Sequence, residues 1–261
     1  MAAPKLTVSG LTKKFGELLA LDNISLAIED GEFISIVGPS GCGKTTFLRI
    51  VSGLDTATSG EVRIDSEVVK GPGIDRGFVF QSDNLLPWRT VLANALVGPE
   101  VSGTVNAESR GRTVDLLKLV GLGGFENYFP RQLSGGMRQR VNLARALAID
   151  PKVLLMDEPF AALDVQTRAR MQDFLLDVWR DSGASVLFVT HHIDEAVALA
   201  DRVVVFTARP GRIKTIVPID LPRPRNLFSR EVEALRIQLT DLLRDEVDRA
   251  FAEQEALGAT A

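Results

Sequence analysis

Gly38-Pro39-Ser40-Gly41-Cys42-Gly43-Lys44-Thr45-Thr46 is the stretch on which the reading of this chain turns. It fits G-x-x-x-x-G-K-[ST], a phosphate-binding loop, and its flanks are those such a loop needs. Upstream, the apolar run Glu32-Phe33-Ile34-Ser35-Ile36-Val37 reads as a buried strand. Downstream, Thr46 to Ser52 carries Phe47, Leu48 and Val51 at helical spacing, and Gly53 is placed to stop the helix. With strand, glycine loop and helix in that order, the glycines let backbone N–H groups wrap phosphate oxygens, and the helix N-terminus adds a favourable dipole. Lys44 would reach the β- and γ-phosphates of a nucleoside triphosphate, and the Thr45 hydroxyl would ligate Mg²⁺.

Composition narrows the field. The chain has 261 residues, room for one large domain or one domain with an inserted subdomain. It is 45% hydrophobic and 25% charged, as ordinary globular proteins are. A net charge of −4 and the lack of any basic tract argue against nucleic acid as a partner. The single cysteine, Cys42, excludes an internal disulfide framework. The N-terminus lacks a signal-peptide pattern, and no apolar run approaches the roughly 18 residues of a membrane span. The expectation is a soluble, cytoplasmic chain that reaches a membrane only through a partner.

Residues 5–30 read as two strands, Leu6-Thr7-Val8 and Ile24 to Ile28, with a turn at Asp30-Gly31. Phe15, between them, is either a core residue or an exposed ring on which a base stacks. Glu61 to Asp65 and Gly77 to Phe80 are further strands, the second ending at Gln81. Leu85, Leu86, Pro87 and Trp88 crowd one loop, which is either packed on itself or a docking surface. Residues 90–150 turn helical. One stripe holds Val114, Leu117 and Val120 and stops at Gly121; another holds Met137, Val141, Ala144 and Ala148 after an N-cap at Ser134. Strands return at Val153 to Met156, Ser185 to Val189 and Arg202 to Phe206, continuous apolar runs that suit parallel strands buried on both faces. Pro218, Pro222 and Pro224 begin a stiff connector into an amphipathic helix with Leu235, Leu239, Leu242 and Phe251. The fold class that follows is α/β: a mainly parallel sheet core, antiparallel strands near the N-terminus, and a helical subdomain inserted at about 85–150. Residues 1–225 form the main domain and 226–261 a helical tail.

The strand at Val153 ends in Asp157-Glu158. Triphosphate cleavage needs one group to hold Mg²⁺ and another to polarise the attacking water. Asp157 suits the metal and Glu158 suits the general base.

With Leu133-Ser134-Gly135-Gly136-Met137, the chain resembles the ATP-binding subunits of ATP-binding-cassette transporters, whose signature is L-S-G-G-Q. Met137 stands where Gln is usual and leaves Ser-Gly-Gly intact. The resemblance covers about residues 5–225 and implies a P-loop NTPase (RecA-like) core that uses ATP and Mg²⁺. It implies a head-to-tail dimer, homodimeric by expectation, in which Ser134, Gly135 and Gly136 contact ATP held by the second subunit. Phosphate-loop residues Gly38 to Thr46 would bind ATP, with Phe15, where Tyr is more usual, stacking on adenine. Gln81 would sense Mg²⁺ and the attacking water. Ala161-Ala162-Leu163-Asp164 resembles the D-loop, so Asp164 would cross the dimer interface. His191 would touch the γ-phosphate; His192 stands where Asp is usual.

The segment Asp83 to Val91 is similar to the branch serving nitrate, sulfonate, taurine and bicarbonate importers. So are Ala208-Arg209-Pro210-Gly211-Arg212-Ile213 and Leu221-Pro222-Arg223-Pro224-Arg225. That implies integral membrane permease subunits as partners, an extracytoplasmic substrate-binding protein indirectly, and residence on the cytoplasmic face of the inner membrane. The Leu85–Trp88 loop would pass motion to the permease. An exporter subunit, or an importer for another small organic solute, shares the ATPase motifs. A soluble member acting in DNA repair or translation would carry two cassettes or a long coiled coil. An unrelated phosphate-loop kinase would leave Ser134 to Gly136 and His191 unexplained.

Overall fold

The computed structural model describes residues 3–161 and 163–258, with side chains up to residue 252. Strands β1 (Leu6–Phe15), β2 (Leu18–Ile28) and β3 (Phe33–Val37) lead to helix α1 (Lys44–Val51), and β4 (Ser59–Ile64), β5 (Glu67–Val68) and β6 (Arg76–Val79) follow. Four α-helices come next, α2 (Val91–Ala95), α3 (Val97–Val101), α4 (Ala107–Leu119) and α5 (Gly135–Leu147), with a 3-10 turn at Pro130–Gln132 before the last. The rest alternates as β7 (Val153–Asp157), α6 (Val165–Ser182), β8 (Ser185–Val189), α7 (Ile193–Leu199), β9 (Arg202–Phe206) and β10 (Ile213–Pro218), before α8 (Arg230–Gly258). The chain forms two compact units, one of residues up to Pro72 together with those from Leu187, the other of Gly73–Val186.

In the first unit β1 lies antiparallel between β2 and β4, with β5 on the far side of β4. Leu6, Val8 and Leu11 of β1 and Ile24, Leu26 and Ile28 of β2 are buried. β3 pairs in parallel with β9, from Ile34 opposite Arg202 to Val37 opposite Val205. Every residue of β3 is buried, as a strand covered on both faces requires. Helix α1 buries Phe47, Leu48, Ile50 and Val51, and the Phe47 ring meets Phe206 edge-on at 5.7 Å.

Three features of this unit depart from the sequence reading. β1 continues past Val8 to Phe15, through polar Lys13 and Lys14 that hide the strand signal. Lys13 is buried because Asp55 Oδ1 accepts from its Nζ at 2.7 Å. β10 pairs antiparallel with β9 and includes Pro218, so the stiff connector begins after that proline rather than with it. An outer strand tolerates a missing N–H. In α8, Val232 and Leu239 are buried but Phe251 is 63% exposed, so the apolar stripe stops short of Phe251.

The tail is anchored by charge. Arg225 donates to the carbonyls of Val197 (2.7 Å) and Ala200 (2.6 Å) at the end of α7 and to Leu221 and Ile219. A cation at a helix C-terminus is favoured, and burial lowers this guanidinium to about 10. Buried Glu246 of α8 accepts from the Ala208 amide at 2.9 Å and pairs with Lys214 at 2.9 Å. Burial alone would raise its carboxyl; these two donors outweigh it and hold it below the usual range.

In the second unit β6 and β7 pair in parallel, Arg76 opposite Val153 through Val79 opposite Met156. Thr90 caps α2, Asn106 and Ser109 form a capping box on α4, and Ser134 caps α5. Gln139 and Asn142 of α5 both donate to the Phe80 carbonyl, at 3.0 and 3.1 Å, fixing the backbone that leads into Gln81. Fully buried Asn94 holds the next loop: it accepts from Leu86 N at 2.8 Å and donates to Leu86 O, Arg89 O and Thr90 O. Within that loop Trp88 is 71% exposed. Asn94→Ala strands a buried amide and several carbonyls, so urea denaturation is expected to show a loss of about 2–4 kcal/mol. An unchanged midpoint would contradict the assigned role of Asn94.

Candidate functional site

The phosphate loop follows β3 directly. Gly43 sits at φ 102°, a conformation suited to glycine, and its carbonyl accepts the first α1 bond from Phe47 N at 2.8 Å. A Cβ there would lie 2.6 Å from Leu21 Cδ2, and one on Gly38 would lie 2.9 Å from Phe206 Cβ. The two glycines therefore let the loop lie flat on β2 and β9. Lys44 is buried, and its Nζ donates to Gly38 O at 2.8 Å and Pro39 O at 3.0 Å. Ser40, Gly41 and Thr45 are exposed, while Gly43 and Thr46 are half-buried. Cys42 packs beneath the loop, and burial pushes its thiol up, against the opposing charge of Lys44.

The Arg-Pro-Gly-Arg segment braces the loop from below. Gly211 N donates to Ala20 O (2.9 Å), and its carbonyl accepts from Asp22 N (3.0 Å). A Cβ on Gly211 would fall 2.2 Å from the Cys42 carbonyl, so only glycine fits. Arg212 Nε closes the arrangement on Asp22 at 2.8 Å. Phe15 is 49% exposed, and Lys13 Nζ lies 4.8 Å from its ring centroid, where a cation meets the negative ring face. His191, exposed just after β8, shares a cavity of about 220 Å³ with Gly38, Pro39 and Ser40. Leu243, Val247 and Phe251 of α8 form the other wall of that cavity. The first unit thus brings His191 to the phosphate loop. His192 stands at the N-cap position of α7 without a side-chain capping bond, its ring 4.0 Å from that of His191.

The second unit gathers the carboxylates. Asp157 ends β7 at 5% exposure. Glu158 follows at φ 46°, a left-handed conformation that is strained for a side chain of this kind. Gln81 Nε2 donates to Glu158 Oε2 at 3.0 Å, joining two residues far apart in sequence. Ser134 is exposed at the start of α5, and its Oγ accepts from Met137 N at 3.3 Å; Gly135 and Gly136 open the helix. Asp164 caps α6 by accepting from Thr167 N at 3.0 Å, and that amide holds its carboxyl below the usual range. Ala162 lies outside the described residues.

Among the described residues no group of three or more His, Cys, Asp or Glu side chains could hold a metal ion. Asp157, Thr45 and Gln81 are oxygen donors of the kind that Mg²⁺ accepts together with substrate phosphates. In donor type these residues, Thr45 of the first unit and Asp157 and Gln81 of the second, fit Mg²⁺. The sequence reading missed two contributors. Glu195, buried in the first turn of α7, binds Thr190 Oγ1 at 2.6 Å; its signal is a carboxylate at the third helical position after His192. The α8 wall of the His191 cavity has no local signal, since it joins the end of the sequence to residues near 40.

A family model described as ABC transporter matches residues 21–161. An uncharacterised ABC transporter ATP-binding protein of Methanocaldococcus jannaschii is 55% identical over 247 residues, 93% of this chain and 92% of its own. A nitrate import ATP-binding protein of Synechocystis is 46% identical, covering 94% of this chain and 95% of its own. An aliphatic sulfonates import ATP-binding protein of Bacillus licheniformis is 44% identical over 91% of each chain. Among solved structures, a dimeric ATP-binding cassette in a post-hydrolysis state with ADP and Pi aligns at a TM-score of 0.74 and 36% identity, over 83% of this chain and all of that one.

The burial of Cys42 has a chemical consequence. A thiol pushed up in this way holds little thiolate at pH 7, so iodoacetamide should label it at least about tenfold more slowly than in the urea-unfolded chain, and faster as pH rises. Complete labelling is expected to abolish nucleotide binding, because the adduct has no space beneath the loop. Equal labelling rates, or full binding after complete labelling, would contradict this packing.

Proposed function

The chain belongs to the ABC transporter family, and we propose that it is the ATP-hydrolysing subunit of an importer for a small anion. It has the α/β fold of the P-loop NTPases and is an ATPase by family. The observation that carries the mechanistic reading is the Gln81–Glu158 hydrogen bond at the end of the β7 strand, in a chain whose phosphate loop has full strand and helix flanks.

In the proposed mechanism Phe15 stacks on adenine, and the amides of Gly38 to Thr46 with Lys44 hold the phosphates. Thr45, Gln81 and Asp157 would hold Mg²⁺, which would supply positive charge to offset the negative charge of the phosphates. Glu158 accepts a proton from the attacking water, whose oxygen bonds to the γ-phosphorus as the bond to the bridging oxygen breaks. ADP and phosphate leave. Gln81 orients the water and Glu158, and His191 donates a hydrogen bond to the γ-phosphate. Ser134, Gly135 and Gly136 act on ATP held by a second copy, and Asp164 crosses between copies; the dimeric cassette structure supports that assembly.

Residues 1–225 form the ATPase domain, with the helical subdomain at about 85–150 and the tail at 226–261. The exposed Trp88, on a loop locked by Asn94, suits docking to a membrane permease. No helix of the described residues is long and apolar enough to cross a membrane, which fits a peripheral subunit on the cytoplasmic face. An extracytoplasmic binding protein would deliver the cargo. Relatives named for nitrate, aliphatic sulfonate and taurine import support an anion as cargo and import rather than export.

Glu158→Gln should bind ATP as a closed dimer and release phosphate about a hundredfold more slowly or worse. Phosphate-release kinetics and size-exclusion chromatography with ATP read both effects. Turnover at the wild-type rate would overturn the assignment.

A further inference from the structure

We propose that Glu195 is a positioning residue for His191, acting through the hydroxyl of Thr190. The proposal rests on the reading of His191 as the group that contacts the γ-phosphate. Thr190 is 1% exposed and follows β8, and its amide donates to Ile36 O at 3.2 Å. Its Oγ1 donates to Glu195 Oε2 at 2.6 Å and accepts from His192 N at 3.0 Å. A hydroxyl carries one hydrogen. The His192 amide can only donate, so the hydroxyl hydrogen must go to Glu195, and the carboxylate fixes the direction of the whole relay.

Glu195 occupies the third helical position after the cap His192. In a capping box a glutamate there accepts directly from the cap amide. Here the relay runs from Glu195 through Thr190 Oγ1 to that amide, and so it clasps the backbone on both sides of His191. Glu195 is buried at 3% exposure. The imidazole of His191 is thereby carried on a bend held on its N-terminal side by Thr190 and on its C-terminal side by the His192 amide, facing the cavity that it shares with Gly38 to Ser40.

The test is a cycle of variants of the full chain with ATP turnover as the readout. Thr190→Val keeps the shape and removes the relay; kcat should fall between about tenfold and a hundredfold, as small misplacements of reacting groups do, while ATP affinity stays unchanged. Thr190→Ser should stay near the wild-type rate, and Glu195→Gln, which keeps an acceptor oxygen, should lose less than Thr190→Val. On a His191→Ala background, Thr190→Val should cost nothing further, because the relay has no imidazole left to aim. Thr190→Ala serves the same comparison if the valine variant does not fold. A Thr190→Val enzyme at the wild-type rate overturns the proposal, and so does a loss that persists in full without His191. A His191→Ala enzyme at the wild-type rate would instead overturn the reading of His191 itself.

Discussion

The structure depends on one steric constraint: the phosphate loop must lie against its strands so closely that two of its glycines have no room for a Cβ. Gly38 meets Phe206 and Gly43 meets Leu21, and Gly211 from far along the chain closes on the Cys42 carbonyl. The backbone amides of such a glycine loop suit an anion-binding concavity. Lys44 is part of the same arrangement, tied to the loop carbonyls rather than free in solvent.

The C-terminal portion of the chain does more than cover the core. Arg225 caps α7 and Glu246 docks α8 on the Ala208 amide, and α8 then supplies a wall of the cavity that holds His191. A segment that reads as an appended tail is thereby part of the surroundings of the phosphate loop. Charged groups carry out this docking: Arg225 donates to backbone carbonyls, and Glu246 accepts from the Ala208 amide and pairs with Lys214, which suits a position next to a polar site better than a purely apolar seam.

Much of this was legible in the sequence where the signal is local. Strand β3, the loop and α1 share one short stretch, and the apolar runs of β7, β8 and β9 match the observed strands nearly residue for residue. Ser134 was readable as a cap because a cap is a local hydrogen bond. What escaped the reading depends on distant partners. The part of β1 beyond Val8 has no local signal, because Asp55, the partner that lets Lys13 be buried, lies 42 residues away. The Arg-Pro-Gly-Arg segment is legible as a resemblance to the importer branch, but its bracing role beneath the loop, set by Ala20 and Asp22, has no local signal. The strain at Glu158 is visible only in the backbone, and Asn94, a single polar residue in an apolar stretch, gave no hint that it ties the Trp88 loop together.

The central claim, an ATPase that drives a membrane importer, is tested most directly by isolating the tagged chain with ATP from membranes of its own host and identifying what accompanies it by mass spectrometry. The account predicts an integral membrane permease, together with a binding protein for a small anion. Recovery of ribosomes or DNA without any membrane protein would contradict it, leaving the ATPase chemistry in place and removing transport as its purpose.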